Sequence, residues 1–115
     1  MKKLMFLFVA AIMFVAFSAC NKYEKQIVGT WTKTVLSTTL SAEFTDGGAI
    51  NLVYGAYSSN GVYSIDDNEL SITTNDCTPV GKYTMAIDGD VLTLVQVSDD
   101  CLVRKDLMAG IYNKN

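Results

Sequence analysis

From Gly29 onward, polar and apolar positions alternate in short runs broken by turn residues, the period-two signature of half-buried strands. The runs predict strands at Gly29–Leu36, Leu40–Thr45, Ala49–Tyr57, Gly61–Ile65, Glu69–Thr74, Gly81–Ile87, Val91–Val97 and Ile111–Lys114. Asp46-Gly47-Gly48, Ser58-Ser59-Asn60-Gly61, Asp66-Asp67-Asn68 and Asp88-Gly89-Asp90 are the expected turns, Asn60-Gly61 because both residues tolerate positive φ. Asn75–Val80, which holds the only Pro, reads as a loop. A helical turn is expected over Cys101–Ala109, capped by Asp99 or Asp100 and stopped by Gly110. The expected fold is all-β: a small eight-stranded antiparallel up-and-down barrel with one short helical turn before the last strand.

The two strand faces differ in chemistry. Trp31, Ile50, Leu52, Tyr54, Leu70, Ile72, Tyr83, Met85, Ile87, Leu92 and Leu94 fall on one side, and Thr30, Thr32, Ser71, Thr73, Lys82, Thr84 and Thr93 on the other. One apolar and one hydroxyl-rich face is what a closed barrel requires. A Gly-x-aromatic unit recurs at Gly29-Thr-Trp31, Gly61-Val-Tyr63, Gly81-Lys-Tyr83 and Gly110-Ile-Tyr112, as if one hairpin design were repeated.

Composition narrows the chemistry. The 115 residues carry a net charge of −3 and no His. Nucleic-acid binding needs clustered Lys and Arg to displace counterions, and there is no such cluster. Without His the commonest general base and most zinc sites are gone, so neither an enzyme nor a cofactor is expected. The acidic pairs Asp66-Asp67, Asp88-Gly89-Asp90 and Asp99-Asp100 lack EF-hand spacing and sit where turns and a cap need Asx residues, so no metal site is expected.

The N-terminus carries an address. Met1-Lys2-Lys3 is a short cationic region, followed by an unbroken apolar run from Leu4 to Phe17. That run is shorter than the roughly 20 residues a membrane-spanning helix needs and suits the core of an export signal. Phe17-Ser18-Ala19-Cys20 resembles the lipobox of bacterial lipoproteins, with Phe where that family prefers Leu. The resemblance implies removal of residues 1–19 as a signal peptide and acylation of Cys20 as the new N-terminus. It also implies a tether over 20–26, a barrel domain over 27–115, and a lipid-anchored envelope protein. Asn21 is not the Asp of inner-membrane retention in enteric lipoproteins, which points to the outer membrane. An ordinary signal peptide followed by a chance Cys is the alternative. Once Cys20 is acylated, Cys77 and Cys101 are the remaining thiols, and an even pair in an exported protein reads as a disulfide, with two buried free thiols as the alternative.

Gly29-Thr30-Trp31 resembles the G-x-W signature of lipocalins and related calycin-type barrels, and the spacing from Cys77 through Gly81, Tyr83, Leu92, Leu94, Asp99, Cys101 and Arg104 to Gly110 and Tyr112 resembles the C-terminal half of short bacterial lipocalin-like domains. The resemblance implies that Trp31 closes one end of the barrel under Arg104. It also implies non-enzymatic binding of a small apolar or amphipathic molecule by a monomer, with the membrane engaged through Cys20. Lys33 shares the inward face with Trp31, and beside Tyr54, Tyr63 and Tyr83 it is the candidate contact for an amphiphile's carboxylate. The simpler expectation is a rim lysine snorkelling to water. The alternatives are a lysozyme-inhibitor-like interaction protein, with Asn75–Val80 as its protruding loop, and a structural module with a filled core.

Overall fold

The computed structural model describes residues 22–115, so the signal-like run and Cys20 lie outside the described residues. The described chain is a closed barrel of eight antiparallel strands in sequential order: β1 (Gly29–Val35), β2 (Thr38–Phe44), β3 (Ala49–Tyr54), β4 (Tyr57–Asp66), β5 (Glu69–Thr74), β6 (Cys77–Asp88), β7 (Val91–Ser98) and β8 (Gly110–Lys114). Helix α1 (Lys22–Gln26), within the segment expected to be a short tether, precedes β1, and helix α2 (Leu102–Met108) joins β7 to β8. Closure is uneven. β1 meets β2 in seven residue pairs from Gly29↔Phe44 to Val35↔Thr38, but meets β8 only through Trp31↔Lys114 and Thr32↔Asn113.

The meander gives the barrel two ends. At one lie α1, the start of β1 and the β2–β3, β4–β5 and β6–β7 turns. At the other lie the β1–β2, β3–β4 and β5–β6 turns and α2. Every strand sends apolar side chains inward, with Trp31, Leu40, Phe44, Ile50, Leu52, Leu70, Ile72, Tyr83, Leu92, Leu94 and Tyr112 fully or almost fully buried. Tyr63 and Ile65 add the β4 contribution. Buried Ile27 stoppers the α1 end, and Leu107 and Met108 stopper the α2 end. An eight-stranded barrel is just wide enough for its own side chains to fill, and here the inward side chains form one contiguous core.

Two expected irregular segments are strand. Asn60-Gly61 is not a turn. It lies mid-β4, and the chain reverses instead at Gly55-Ala56, where Gly55 has φ 60°. The first half of β4 pairs with β3 and the second with β5. Gly61 sits at the changeover, where a Cβ would run into the Thr73 carbonyl and stand 2.7 Å from the Thr74 Cα. Glycine is needed there for backbone approach, not for left-handed φ. Likewise, Asn75–Val80 does not protrude. Asn75-Asp76 is a tight turn and Cys77 already pairs with Thr74. The next pair is Ile72↔Gly81, so residues 78–80 form a bulge, the one kind of place inside a sheet that accepts a proline such as Pro79.

α2 also starts later than expected. Its N-cap is Cys101, and Asp99 instead accepts the Cys101 N–H through Oδ1 at 3.0 Å.

Candidate functional site

The sequence-nominated groups separate into two ends. Trp31 belongs to the α1 end, where its Nε1 donates to the Ile27 carbonyl at 2.8 Å. Arg104 lies on α2 at the opposite end. The expected Trp31–Arg104 closure is therefore replaced by a lysine: the Lys114 ammonium stands 5.3 Å from the centre of the Trp31 ring. The cause is topological. Arg104 precedes β8, so it stays at the end where β8 begins, while Lys114 at the end of β8 pairs with Trp31.

Arg104 is the hub of the α2 end. Its Nε and Nη2 donate to Asp99 Oδ2 and Oδ1, both at 2.9 Å. Nη1 donates to Thr74 Oγ1 at 3.1 Å and the Cys77 carbonyl at 3.0 Å, and Nη2 also donates to the Pro79 carbonyl. The guanidinium thus meets backbone acceptors of the bulge. Tyr83 donates its hydroxyl to Asp99 Oδ2. Burial pushes the Asp99 carboxyl up, but hydrogen bonds from Arg104, Tyr83 and the Cys101 N–H outweigh it and hold Asp99 below the ordinary carboxylate range. Burial and the hydrogen bond to Asp99 push the Tyr83 hydroxyl far above its usual pKa.

Cys77 and Cys101 form a disulfide with Cα atoms 6.2 Å apart, locking the start of β6 to the start of α2 around this hub. Beside it, Asp76 accepts the Tyr57 hydroxyl at 2.6 Å and the Ser59 hydroxyl at 2.7 Å, and these bonds bring its carboxyl down to about 2.

Lys33 and the three tyrosines do not converge. The Lys33 ammonium donates to the Ala109 carbonyl at the end of α2 and stands 5.0 Å from the Tyr112 ring centre. Burial lowers its pKa. A cation on a helix C-terminal carbonyl is a structural cap. It also fills the seam beyond the two-pair contact of β1 with β8. Tyr54 donates to the Val35 carbonyl at 2.7 Å and Tyr63 to the Thr45 carbonyl at 2.6 Å, at opposite ends of the barrel. Among the described residues, no buried side-chain polar atom lacks a partner, and the bonds of Lys33, Tyr54 and Tyr63 run to the protein's own carbonyls.

A cleft of about 490 Å³ opens at the α1 end, outside the filled bore. Glu24 and Lys25 of α1 face Asp46 and Gly48 of the β2–β3 turn across Tyr63 and Ile65 of β4. Tyr63 is fixed by its bond to Thr45 and by an edge-on contact with Phe44, ring centres 5.1 Å apart. Its hydroxyl proton is committed to Thr45, and the residue lines the cleft. Burial pushes the Tyr63 hydroxyl up, and the carboxylates of Asp46 and Glu24 add to the push. Among the described residues, Glu24, Lys25 and Asp46 make no ion pair.

Sequence reading missed Asp99 as the partner of Arg104, taking it for a cap. A signal existed, because the only Arg of the chain needed a counter-ion once buried and Asp99 flanks Cys101 on the same connection. The cleft had no such signal, because α1 and the β2–β3 turn meet only in three dimensions. No protein-family model, curated protein or solved structure matches this chain.

Proposed function

We propose that this chain is a lipid-anchored cell-envelope protein, held at the outer membrane through Cys20, whose barrel is a rigid non-catalytic scaffold for binding a small amphipathic molecule at the α1 end. The observation that carries this reading is the cleft. Its volume falls within the roughly 300–1,000 Å³ range of small-molecule sites. Its base is Tyr63 and Ile65, and its rim is charged. With the barrel interior occupied by a contiguous apolar core, the cleft supports a site at this end in place of the interior, where a lipocalin-like protein would carry a ligand. The anchor supports the location. Cys20 lies two residues before α1, so acyl chains there hold the cleft near the bilayer surface, where amphiphiles concentrate. Two tests separate the parts. Cys20→Ser should move the protein from the membrane to the soluble fraction, and unchanged partition removes the anchor. Native mass spectrometry of the purified protein should show a retained small molecule that Tyr63→Ala loses. A bare mass for both proteins removes the binding reading.

A second reading is a protein-interaction module engaging a partner at the α2 end. Leu36 is 91% exposed at the tip of the β1–β2 hairpin, and Leu102 and Val103 are exposed on α2 at the same end. Retention of a partner by wild type but not by Leu36→Ser/Leu102→Ser would favour it.

A further inference from the structure

We propose that the cleft at the α1 end recognises a primary ammonium group carried on a small apolar body. This rests on the cleft being the binding site, and it specifies the head group that site selects. The rim carries two carboxylates, Glu24 and Asp46, against one ammonium, Lys25. All three side chains are exposed and make no ion pair among the described residues. The charge of the lining therefore favours a cation, whose N–H donors the two carboxylates can accept.

An aromatic side chain in the cleft lining adds a further partner for a cation. The Tyr63 hydroxyl is spent on Thr45, and the ring is held edge-on to Phe44. An aromatic face attracts a cation through its quadrupole and packs against an apolar body. Ile65 extends that surface. A carboxylate ligand has only Lys25 in its favour, against two like charges. A neutral head group gains nothing from the excess charge. A backbone feature fixes the geometry: the Tyr63 N–H donates to the Gly48 carbonyl at 2.9 Å, and Gly48 has φ 88°. The β2–β3 turn that carries Asp46 is thereby tied to the strand that carries the ring.

A primary ammonium at this place has two sources, an amine free in solution or the ethanolamine head of a membrane phospholipid. In the second case Lys25 is the cation of the lining available to the lipid phosphate. Both offer the same donors to Glu24 and Asp46.

The test uses the full chain in nanodiscs and three water-soluble probes with one ring and different heads: benzylammonium, phenylacetate and benzyl alcohol. Binding is read from the shift of the Tyr63 ring resonances. Benzylammonium should bind about tenfold tighter than benzyl alcohol, and phenylacetate weakest. Glu24→Gln and Asp46→Asn should each weaken benzylammonium by about two- to fivefold, the range of exposed ion pairs, and leave benzyl alcohol unchanged. Lys25→Gln should tighten it. In phosphatidylethanolamine discs the benzylammonium affinity should fall below that in phosphatidylcholine discs if the lipid head is the source, and should match it if the source is soluble. Equal binding of all three probes, unmoved by Glu24→Gln/Asp46→Asn, overturns the ammonium assignment and leaves the cleft as a binding site. Failure of every probe to shift Tyr63 overturns the site itself.

Discussion

Asp99 and Arg104 are joined by two parallel hydrogen bonds, Nε to Oδ2 and Nη2 to Oδ1, each 2.9 Å long, with both side chains almost completely shielded from solvent. A bidentate pair of this kind is both strong and directional. Its remaining donors reach Thr74 and the bulge carbonyls of β6. One arginine therefore ties α2, β5, β6 and the β7–α2 connection together. Arg104→Met leaves Asp99 buried without its cation and should cost about 3–5 kcal/mol in urea unfolding at neutral pH. The double variant Asp99→Asn/Arg104→Met should lose clearly less than the two single losses added together, because the pair is then removed as a unit. A loss below about 1 kcal/mol for Arg104→Met would mean the hub does not hold this end.

Gly81 makes room for that hub. A Cβ there would stand 2.5 Å from Asp99 Oδ2 and 2.8 Å from its Cγ. Gly81→Ala must displace a carboxylate that is fixed by Arg104, Tyr83 and a backbone N–H. It should lower stability by about 1–3 kcal/mol, the range for overpacking. Gly47→Ala, where a Cβ meets nothing within 4 Å, is the matched control and should change little. Equal effects on the thermal midpoint would refute the steric account.

The Cys77–Cys101 bridge closes a separation of 24 residues. In the chain-entropy model its removal costs about 3.5 kcal/mol. Cys77→Ser/Cys101→Ala should lower the urea midpoint by a corresponding amount with little change in slope. Thiol counting on the denatured, unreduced protein should find neither cysteine free.

Acid should destabilise the protein in a defined window. Asp76 is held at about 2 by Tyr57 and Ser59, and Asp99 is held below its ordinary value by the net effect of Arg104, Tyr83 and Cys101 over burial. A carboxylate whose pKa is depressed by folding contributes stability that is fully present above its unfolded value and is lost as pH falls through the folded one. With no His in the chain, stability should be nearly flat from about pH 5 to 7. It should fall from about pH 4 toward 2. Asp76→Asn should flatten the upper part of that fall. A midpoint that drops between pH 6 and 5 would contradict the assignment.

The β1–β2 hairpin turns through Leu36 and Ser37 at φ 50° and 70°. Two left-handed residues make the turn that follows strand twist, but Asn-Gly is the pair that adopts it without strain. Left-handed backbone costs about 1–2 kcal/mol for an ordinary residue. Leu36 is 91% exposed, so its side chain offsets little of that. Leu36→Asn/Ser37→Gly should raise the thermal midpoint, and an unchanged or lower midpoint would show that the Leu side chain is itself stabilising.

Much of the barrel was legible because its cause is local. Alternation at Leu40, Ala42 and Phe44, at Leu70 and Ile72, and at Leu92 and Leu94 decides which face is buried, and short turns between runs leave a meander as the simplest path. Glu69–Thr74 was bounded correctly for that reason. The pairing of Cys77 with Cys101 was expected from the even count of thiols that acylation of Cys20 would leave, and the bridge is present. The misreadings lie where one local signal has two uses. Asn60-Gly61 is a turn pair when its neighbours fold back, and a flat crossing point when β5 must approach β4. Pro79 breaks a regular strand but sits within a bulge whose carbonyls a distant guanidinium satisfies.

The sequence by itself determined the fold class and the inward face, because each depends on residue type and near spacing, and it nominated the Cys77–Cys101 pair by count. Tertiary structure decided which charges meet. Arg104 was expected against Trp31, but strand order placed it at the α2 end with Asp99, while Lys114 at the other end of β8 took the Trp31 ring. Lys33 faced inward by parity, yet the carbonyl it caps belongs to α2, 76 residues away. The cleft between α1 and the β2–β3 turn exists only once the barrel closes. Electrostatic partners are chosen by distances across the closed sheet, and those distances are a property of the whole ladder, not of any run of residues within it.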